Sequence, residues 1–285
     1  MNAPTSTIAI EARGGVRVLR LNRPEARQAL DATLIAELTA AARAAGEDTS
    51  VRAVLLASSG PAFCAGADLR NMQRMGAASE AENLADAVAL ARLLDTLAAC
   101  PKPVVAWVQG DCYGGGLGLV AASDIALASS AARFCLSEVR LGLTPATISP
   151  HVLRAIGARA ASRYMLSAER FDAAEAQRIG LVHAVHAPEA LGPAVDAMLD
   201  ALLRGGPQAL RATKRLIADF GGAQLPAGWL EDSAGRIAGR RGSDEGREGL
   251  AAFFGKRPPR WAPQGVPSEA AAAAPAVHER PPGSR

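Results

Sequence analysis

Short apolar runs alternate with helical patterns along most of this chain. Two stretches, Ile8 to Arg13 and Val16 to Leu21, flank a pair of glycines, which predicts a β-hairpin with a two-residue turn. The uninterrupted apolar runs at residues 53–57 and 104–108 are typical of strands buried on both faces. Each run is followed by a glycine-bearing loop and then by a helical pattern. This alternation of strands and helices predicts an α/β fold.

Helical periods occupy much of the remaining sequence. Apolar residues recur with a helical period after Leu30, and a long helix with one apolar face is predicted from Leu84 to Ala98. Residues 71–80 are predicted to form a mobile connection. Short strands are also predicted at residues 124–128 and near Phe134. Central helices are predicted at residues 147–156, 159–166 and 172–178.

The domain organisation follows from the point where the helical pattern becomes continuous, at Pro188. We predict a boundary near residues 203–206, because Gly206 and Pro207 are typical of a new helix start. The predicted parts are a flexible N-terminus, a core, a C-terminal helical region and a disordered tail rich in proline and alanine. In that order they comprise residues 1–7, 8–203, 204–257 and 258–285.

Composition narrows the class of protein. The chain has 285 residues, is 49% hydrophobic and carries a formal net charge of only +3 at pH 7. Acidic and basic residues are interspersed, no apolar run approaches the roughly 18 residues of a membrane span, and the first residues lack a signal-peptide pattern. We therefore expect a cytoplasmic protein that binds neither nucleic acid nor membrane.

Metal-ligating residues are few. His183 and His186 fall in a short apolar run that is predicted to be a strand, where positions three apart face opposite sides. The four cysteines are far apart and form no C-x-x-C motif, so we expect buried, reduced thiols and no metal site. These cysteines are Cys64, Cys100, Cys112 and Cys135.

Two glycine-bearing loops carry the candidate chemistry. The triplet Gly114 to Gly116 opens a predicted helix, although each glycine weakens a helix by roughly 1 kcal/mol relative to alanine. We interpret the triplet as half of an oxyanion hole, because N–H groups at a helix start attract negative charge; close packing of helix on strand is the alternative. A second loop places Ala67 beside Gly66. The main-chain N–H groups of Ala67 and Gly115 would meet at the carboxyl edge of the sheet and hold a carbonyl oxygen.

Five segments, FCAGADL, GDCYGGG, SDIALAS, FCLSEVRLGLTPA and FDAAEAQRIGLV, match one family in order and spacing. From about Ile8 to Trp261 the chain resembles the crotonase, or enoyl-CoA hydratase/isomerase, superfamily. The resemblance implies a ββα spiral core with a C-terminal helical trimerisation region. It also implies an acyl-CoA thioester substrate, no metal, no cofactor apart from the coenzyme A of the substrate, and homotrimers or dimers of trimers.

The resemblance also assigns site residues. Ala67 and Gly115 match the two oxyanion-hole donors, and Glu138 matches the glutamate that exchanges a proton at the α-carbon. A glutamate tuned by burial suits that role, whereas pairing of Glu138 with Arg140 or Arg154 would make it structural. Phe253 and Lys256 match the element that reaches the adenine end of coenzyme A, although a solvated Lys256 is an equal alternative. The full set of implied contacts with the substrate is Ala26, Arg27, Ala65, Asp68, Leu69, Gly114, Phe253 and Lys256.

Gly118 departs from the family pattern, because many hydratases carry a second carboxylate two residues after the triplet. The segments around Glu138 most resemble bacterial methylglutaconyl-CoA-type hydratases of leucine and acyclic-terpene breakdown, whose substrate bears a distal carboxylate. His151 or Arg154 is a candidate to meet that carboxylate, and an ordinary helix-start role is the alternative for His151. The sequence therefore predicts an enoyl-CoA hydratase; a Δ3,Δ2-enoyl-CoA isomerase and a non-catalytic acyl-CoA-binding protein are the alternatives.

Overall fold

A computed structural model describes residues 6–222 and 224–262 of the chain. The chain divides into two compact units, residues 1–202 and 203–285. Residues 1–5 of the predicted flexible N-terminus and residues 263–285 of the predicted disordered tail lie outside the described part.

Ten strands and ten α-helices make up the described chain. The strands are β1 (Ile8–Arg13), β2 (Val16–Leu21), β3 (Ala53–Ser58), β4 (Ala62–Cys64), β5 (Val104–Val108), β6 (Asp111–Tyr113), β7 (Ile125–Ser129), β8 (Arg133–Cys135), β9 (Phe171–Asp172) and β10 (Ala184–His186). The helices are α1 (Ala32–Glu47), α2 (Leu69–Gly76), α3 (Glu80–Ala98), α4 (Gly115–Ala122), α5 (Ser149–Ser167), α6 (Ala173–Arg178), α7 (Pro188–Arg204), α8 (Pro207–Phe220), α9 (Trp229–Gly242) and α10 (Asp244–Phe254). Short 3-10 helices occupy Pro24–Ala26 and Glu138–Leu141.

Two sheets form the framework of the first unit. The larger has the strand order β1-β2-β3-β5-β7-β10, and all its neighbours are parallel except the β1–β2 hairpin. The smaller has the order β4-β6-β8-β9, in which only β8 and β9 are antiparallel. Along the chain β3 precedes β4, β5 precedes β6 and β7 precedes β8, so successive strand pairs wind from one sheet to the other. This repeated β-β-helix unit is the spiral core that the sequence predicts.

The larger sheet is buried because its strands are apolar on both faces. Every residue of β3 is buried, as the uninterrupted run at residues 53–57 predicts. Apolar side chains of α1 and of the second half of α3 belong to the same core. The predicted apolar face of α3 is correct only in part, because Leu94 is fully buried whereas Leu84 is 64% exposed.

Two local predictions are wrong. Residues 71–80 are not a mobile connection, since most of them belong to α2 and to the start of α3. The Asp68 side chain starts α2 by accepting hydrogen bonds from the N–H groups of Arg70 and Asn71. The second error is the omission of β4 and β6, which are three residues long and therefore too short to show a period.

His183 directly precedes β10, and His186 is the last residue of that strand. The Nδ1 atom of His183 accepts a hydrogen bond from the N–H of Ala126 at 3.0 Å, so this ring is bound to strand β7. All four cysteines are buried, and none of them forms a disulfide in the described chain. Within residues 6–222 and 224–262, no cluster of three or more histidine, cysteine or acidic residues is arranged to hold a metal. Nor does any helix in this part have the length and apolar character needed to cross a membrane.

The described chain is mainly helical from Pro188 onward, as predicted, and the described residues of the second unit contain α8 to α10. Pro207 occupies the first turn of α8, and the Ser243 side chain starts α10 by accepting from the N–H of Gly246. Glu245 accepts hydrogen bonds from two N–H groups at the start of α8, which connects α10 to α8. Many large apolar side chains of these helices are exposed, among them Ile217, Ile237 and Phe254.

Candidate active site

Two glycine loops emerge side by side from the smaller sheet. β4 and β6 are parallel neighbours, with Cys64 opposite Cys112. Gly66 follows β4, and Gly114 follows β6. The predicted convergence is present, but the loops leave the short strands β4 and β6 and not the long runs β3 and β5. The intervening turn into the second sheet was not visible in the sequence pattern.

Gly66 and Gly114 are glycines for conformational and steric reasons. Both have positive φ angles, +91° and +48°, which side-chain-bearing residues rarely adopt. A Cβ on Gly66 would lie 3.0 Å from the carbonyl oxygen of Tyr113, and one on Gly114 would lie 3.7 Å from the Cα of Gly66. The two backbones therefore approach as closely as the absence of side chains allows.

Ala67 and Gly115, the predicted amide donors, directly follow these glycines. Ala67 forms a parallel bridge with Leu30. The N–H groups that bond in this bridge are those of Leu30 and Asp68, so the N–H of Ala67 takes no part in it. Gly115 is the first residue of α4, where an N–H has no acceptor within the helix. A Cβ on Gly115 would lie 2.8 Å from Cδ1 of Leu30, so the same leucine contacts both segments. Leu30 therefore lies beside both segments, and the role of Ala67 and Gly115 as paired amide donors stays a prediction.

Glu138 lies at the same point. The N–H of Gly114 donates to the carbonyl oxygen of Cys135 at 2.9 Å, which ties the end of β8 to the glycine triplet. Glu138, three residues later, begins a 3-10 helix and places its Oε1 atom 3.2 Å from where a Cβ on Gly114 would be. The carboxyl group therefore faces the glycine loops.

The electrostatic state of Glu138 is unusual. Its Oε2 atom is buried without a hydrogen-bond partner in the described chain. Burial raises the pKa of Glu138 above 4.5, and a hydrogen bond from its own main chain offsets only part of that rise. Glu138 forms no ion pair with Arg140 or Arg154 among the described residues, so the structural alternative does not hold. A buried, unpaired carboxyl with a raised pKa suits proton exchange.

Gly118 lies on a face of α4 that packs against apolar side chains. A Cβ at this position would lie 2.5 Å from Cγ2 of Ile148 and 3.3 Å from Cδ1 of Leu94. The place that a second carboxylate would occupy is thus filled by two aliphatic side chains. The site has one carboxyl group on this side, not two.

A cleft of about 600 Å³ lies beside the Ala67 amide. Its lining includes five of the predicted contact residues and the predicted amide donor Ala67; the five are Ala26, Arg27, Ala65, Asp68 and Leu69. Leu69 is 75% exposed and presents an apolar surface there.

Two polar side chains of this cleft already have protein partners. Arg27, predicted to meet a phosphate, is largely exposed and lies 3.0 Å from a carboxylate oxygen of Asp111. Burial raises the pKa of Asp68, but hydrogen bonds from Asn71, Arg23 and Arg70 outweigh it and hold that pKa below its ordinary value. Asp68 therefore acts as the N-cap of α2 and as an ion-pair partner of Arg23, and its contact with the substrate stays a prediction.

Four predicted residues lie away from the glycine loops in sequence. Phe253, in α10, and Lys256, just after it, belong to the second unit and are exposed; their contact with coenzyme A stays a prediction. Burial lowers the pKa of His151 in the first turn of α5, and the charge of Arg154 lowers it further against the opposing effect of Asp95. Arg154 is exposed on the next turn of α5.

Sequence reasoning missed Arg23, Gln28 and Ile148. Gln28 is fully buried with a positive φ of 61°, and Arg23 joins two aspartates beside the cleft. No local pattern around Arg23 indicates its pairing with Asp31 and Asp68, because the structure alone brings these three residues together. Ile148 carried no signal, since its partner Gly118 is thirty residues away in the chain.

Comparisons with known proteins place this geometry in a family. Residues 11–264 match the family described as Enoyl-CoA hydratase/isomerase. The 2,3-dehydroadipyl-CoA hydratase of Escherichia coli is 31% identical over 255 residues, which cover 89% of this chain and 98% of that protein. The enoyl-CoA hydratase AKT6-1 of Alternaria alternata is 37% identical over 208 residues, covering 73% and 67%, respectively. A crystal structure of an enoyl-CoA hydratase from Shewanella pealeana superposes with a TM-score of 0.86 at 42% identity, covering 90% of this chain and 96% of the other. The chain belongs to the enoyl-CoA hydratase/isomerase family.

Proposed function

We propose that this protein is an enoyl-CoA hydratase, which adds water reversibly across the α,β double bond of an acyl-CoA thioester. The observation that carries the proposal is the buried carboxyl group of Glu138, which faces Gly114 at the point where the two glycine loops meet. Relatives named as hydratases over nearly their full length support the same reaction. Coenzyme A is part of the substrate, and the proposed chemistry needs neither a metal nor another cofactor.

The two amides stabilise the charge that develops during addition. The thioester oxygen accepts hydrogen bonds from the N–H groups of Ala67 and Gly115. As water attacks the β-carbon, the electrons of the double bond move toward that oxygen and form an enolate-like state. Losing one donor of this kind typically costs about 3 kcal/mol of transition-state stabilisation.

Glu138 moves the proton. As a carboxylate it takes a proton from the attacking water, while the water oxygen bonds to the β-carbon. It then gives that proton to the α-carbon, which restores the carboxylate and leaves a 3-hydroxyacyl thioester. A raised pKa makes Glu138 a better base in the first step and keeps it able to donate in the second. One carboxyl group is therefore sufficient, although Gly118 supplies no second one.

A Δ3,Δ2-enoyl-CoA isomerase is the second candidate, and the apolar packing around Gly118 favours it. Isomerisation needs one group to carry a proton between carbons and needs no activated water. Incubating the protein with a 2-enoyl and a 3-enoyl thioester in deuterated water separates the two reactions. A hydratase forms the 3-hydroxyacyl product from the 2-enoyl thioester; an isomerase only moves the double bond and exchanges deuterium.

We further propose that the acyl group carries a distal carboxylate, as in 3-methylglutaconyl-CoA. One relative is named for a thioester of a dicarboxylic acid. Between the candidate partners, Arg154 is the stronger, because it is permanently charged whereas burial favours neutral His151. Equal or faster hydration of crotonyl-CoA than of 3-methylglutaconyl-CoA would contradict the proposal. Arg154→Gln should raise KM for the carboxylated substrate only, and Arg159→Gln, on an exposed turn of the same helix, is the matched control.

The assembly and cellular setting are also proposals. We expect a cytoplasmic homotrimer or dimer of trimers, with exposed apolar side chains of α8 to α10 covered by other copies. Analytical ultracentrifugation should give three or six times the mass of one chain. A non-catalytic acyl-CoA-binding role would require that Glu138→Gln leave every measured turnover unchanged.

A further inference from the structure

Arg23 lies at the edge of the cleft, between the segments that begin α1 and α2. Its side chain is largely buried, with 17% of its area exposed. The Nη1 atom donates to the carbonyl oxygen of Ala29 at 2.6 Å and lies 3.1 Å from Oδ2 of Asp31. The Nη2 atom lies 3.2 Å from Oδ2 of Asp68. A planar guanidinium with fixed donors thereby joins two carboxylates in one geometry.

Both of these carboxylates are helix N-caps. Asp31 accepts a hydrogen bond from the N–H of Leu34 at 2.8 Å and starts α1. Asp68 accepts from the N–H groups of Arg70 and Asn71 and starts α2. Each aspartate thus fixes the direction of one helix, and the single Arg23 side chain fixes the two aspartates relative to each other.

Ala67 lies directly between these caps. The N–H of Leu30 donates to the carbonyl oxygen of Gly66 at 2.8 Å, and the N–H of Asp68 donates to the carbonyl oxygen of Leu30 at 2.9 Å. Successive N–H groups of an extended segment point to opposite sides, so the N–H of Ala67 points away from Leu30. In each segment the aspartate directly follows a residue of the bridge: Asp31 follows Leu30, and Asp68 follows Ala67.

We propose that Arg23 is a positioning residue for the reaction. By holding Asp31 and Asp68 beside the Leu30–Ala67 bridge, it fixes the direction of the Ala67 N–H toward the thioester oxygen. The inference rests on the proposed function, because it takes Ala67 as one of the two amide donors. Arg23 acts through its neighbours and does not touch the reacting atoms.

The loop that carries Arg23 is held independently of the guanidinium group. The N–H of Arg23 donates to Oε1 of Gln28 at 2.6 Å, and the amide nitrogen of Gln28 donates to the carbonyl oxygen of Ser59. The N–H of Ala65 donates to the carbonyl oxygen of Arg27 at 3.0 Å. Because these bonds survive truncation of the Arg23 side chain, we expect Arg23 variants to fold.

The test compares Arg23→Met and Arg23→Lys with the matched control Arg17→Met. Arg17 also forms a half-buried ion pair in the first unit, 2.9 Å from Asp48, but lies outside the site. Three quantities are measured: kcat and KM for the enoyl thioester, Tm, and the absorption maximum of a bound aryl-enoyl-CoA. The last shifts to longer wavelength as the amides polarise the thioester oxygen, whether or not turnover occurs.

We expect Arg23→Met to lower kcat about 10- to 100-fold with KM within about threefold, since small misplacements of a positioned group cost this much. The absorption shift should shrink in parallel. Arg23→Lys keeps the positive charge but lacks the planar guanidinium group, so its kcat and absorption shift should fall less than those of Arg23→Met. Arg17→Met should keep both kcat and the absorption shift.

Two results would overturn the positioning role. A rise in KM at unchanged kcat would make Arg23 a substrate contact, and a fall in Tm with kcat and absorption shift intact would make it purely structural. Failure of the proposed function looks different, because the unaltered protein would then show neither turnover nor an absorption shift. Glu138→Gln separates polarisation of the thioester oxygen from proton transfer, since this variant should keep the absorption shift and lose turnover.

Discussion

At the scale of single residues, the burial of Glu138 determines which chemistry the site supports. Its Oε2 atom has no hydrogen-bond partner in the described chain, and burial raises its pKa. A surface glutamate would stay ionised at neutral pH and bind protons weakly. The buried one is a stronger base, which is what a group that alternately takes and returns a proton requires.

Glu138→Gln should reduce kcat for hydration about 10²- to 10⁴-fold, because the amide cannot carry a proton. KM should change little, since the side chain size is kept. Turnover is followed by the absorbance of the conjugated thioester. Glu80→Gln, at an exposed position in the first turn of α3, is the control and should retain full activity.

The same substitution gives a pH-dependent stability change. Because the pKa of Glu138 is higher in the folded chain than its ordinary value of 4.5, its contribution to stability is fully present below pH 4.5 and is lost as the pH rises through the folded pKa. Glutamine stays neutral throughout. The Tm of Glu138→Gln minus that of the unaltered protein should therefore be smallest in acid and increase toward neutral pH. A difference that does not vary with pH would contradict burial as the cause.

Gly114→Ala should destabilise the fold by about 1–2 kcal/mol, because a Cβ is unfavourable at its positive φ of 48°. It should also lower kcat, since the new Cβ would lie 3.2 Å from Oε1 of Glu138. The control is Gly14→Ala in the β1–β2 turn, where φ is +55° and a Cβ would meet nothing within 4 Å. Chemical denaturation and kinetics together should show a stability loss in both variants and a rate loss only in Gly114→Ala.

At the scale of elements, α4 is packed through its glycines. Gly116 faces β4, where a Cβ would lie 2.9 Å from the Cβ of Cys64, and Gly118 faces the start of α5. The alternative interpretation of the triplet, close packing of helix on strand, therefore holds at Gly116, and the interpretation as half of an oxyanion hole stays a prediction. Gly114 and Gly115 border the site, whereas Gly116 allows the close helix–strand packing that was the alternative.

Gly118→Glu should not restore a second acid. Its Cβ would lie 2.5 Å from Cγ2 of Ile148, and overpacking of this kind costs about 1–3 kcal/mol. Combining it with Ile148→Ala removes the nearest atom, Cγ2, and leaves the Cβ of residue 148 at 3.0 Å, so the double variant should be more stable than the sum of the two single changes predicts. Thermal denaturation of all three variants measures the coupling. Strict additivity would mean that the residues do not compete for the same space.

Elements with a long period or a clear stop signal could be predicted from the sequence. The β1–β2 hairpin, the buried strands β3 and β5, and the break of α5 at Gly157, where φ is +70°, follow from local residues. α2 was missed although its N-cap, Asp68, is a local signal; the ion pair between Asp68 and Arg23 joins residues that are far apart in sequence and left no such signal. β4 and β6 are defined by pairing with each other, and no local pattern records that pairing.

The same division holds for the site. Motif and chemistry together selected Ala67, Gly115 and Glu138 from the sequence, and the structure places the Glu138 carboxyl group beside Gly114, while the three catalytic roles stay predictions. The filling of the Gly118 position by Ile148 could not be predicted, since it depends on where α5 begins relative to α4. The Arg23 bridge was equally hidden, because both of its carboxylate partners have local roles as helix caps.

At the scale of the whole molecule, the chain has two units with different surfaces. The first contains both sheets and the cleft. The second contains α8 to α10, with Phe253 63% exposed at the end of α10. We expect other copies of the chain to cover this side chain in the proposed trimer.

Lys256→Ala should raise KM for a coenzyme A thioester several-fold, because a lysine at the adenine end would lose its contact with the nucleotide. KM for the matching pantetheine thioester, which lacks the nucleotide, should not change. The exposed Arg211→Ala, on α8, is the charge-matched control. If Lys256→Ala, like Arg211→Ala, changes neither KM value relative to the unaltered protein, Lys256 is a solvated surface residue that does not contact the nucleotide.

The aliphatic filling opposite Gly118 also bears on stereochemistry. With a single acid on one face of the bound thioester and hydrocarbon where another would stand, hydrogen from the solvent has one route to the α-carbon. Product formed in deuterated water should therefore carry deuterium at only one of the two prochiral positions of the α-carbon. Nuclear magnetic resonance distinguishes this single diastereomer from its epimer at the α-carbon.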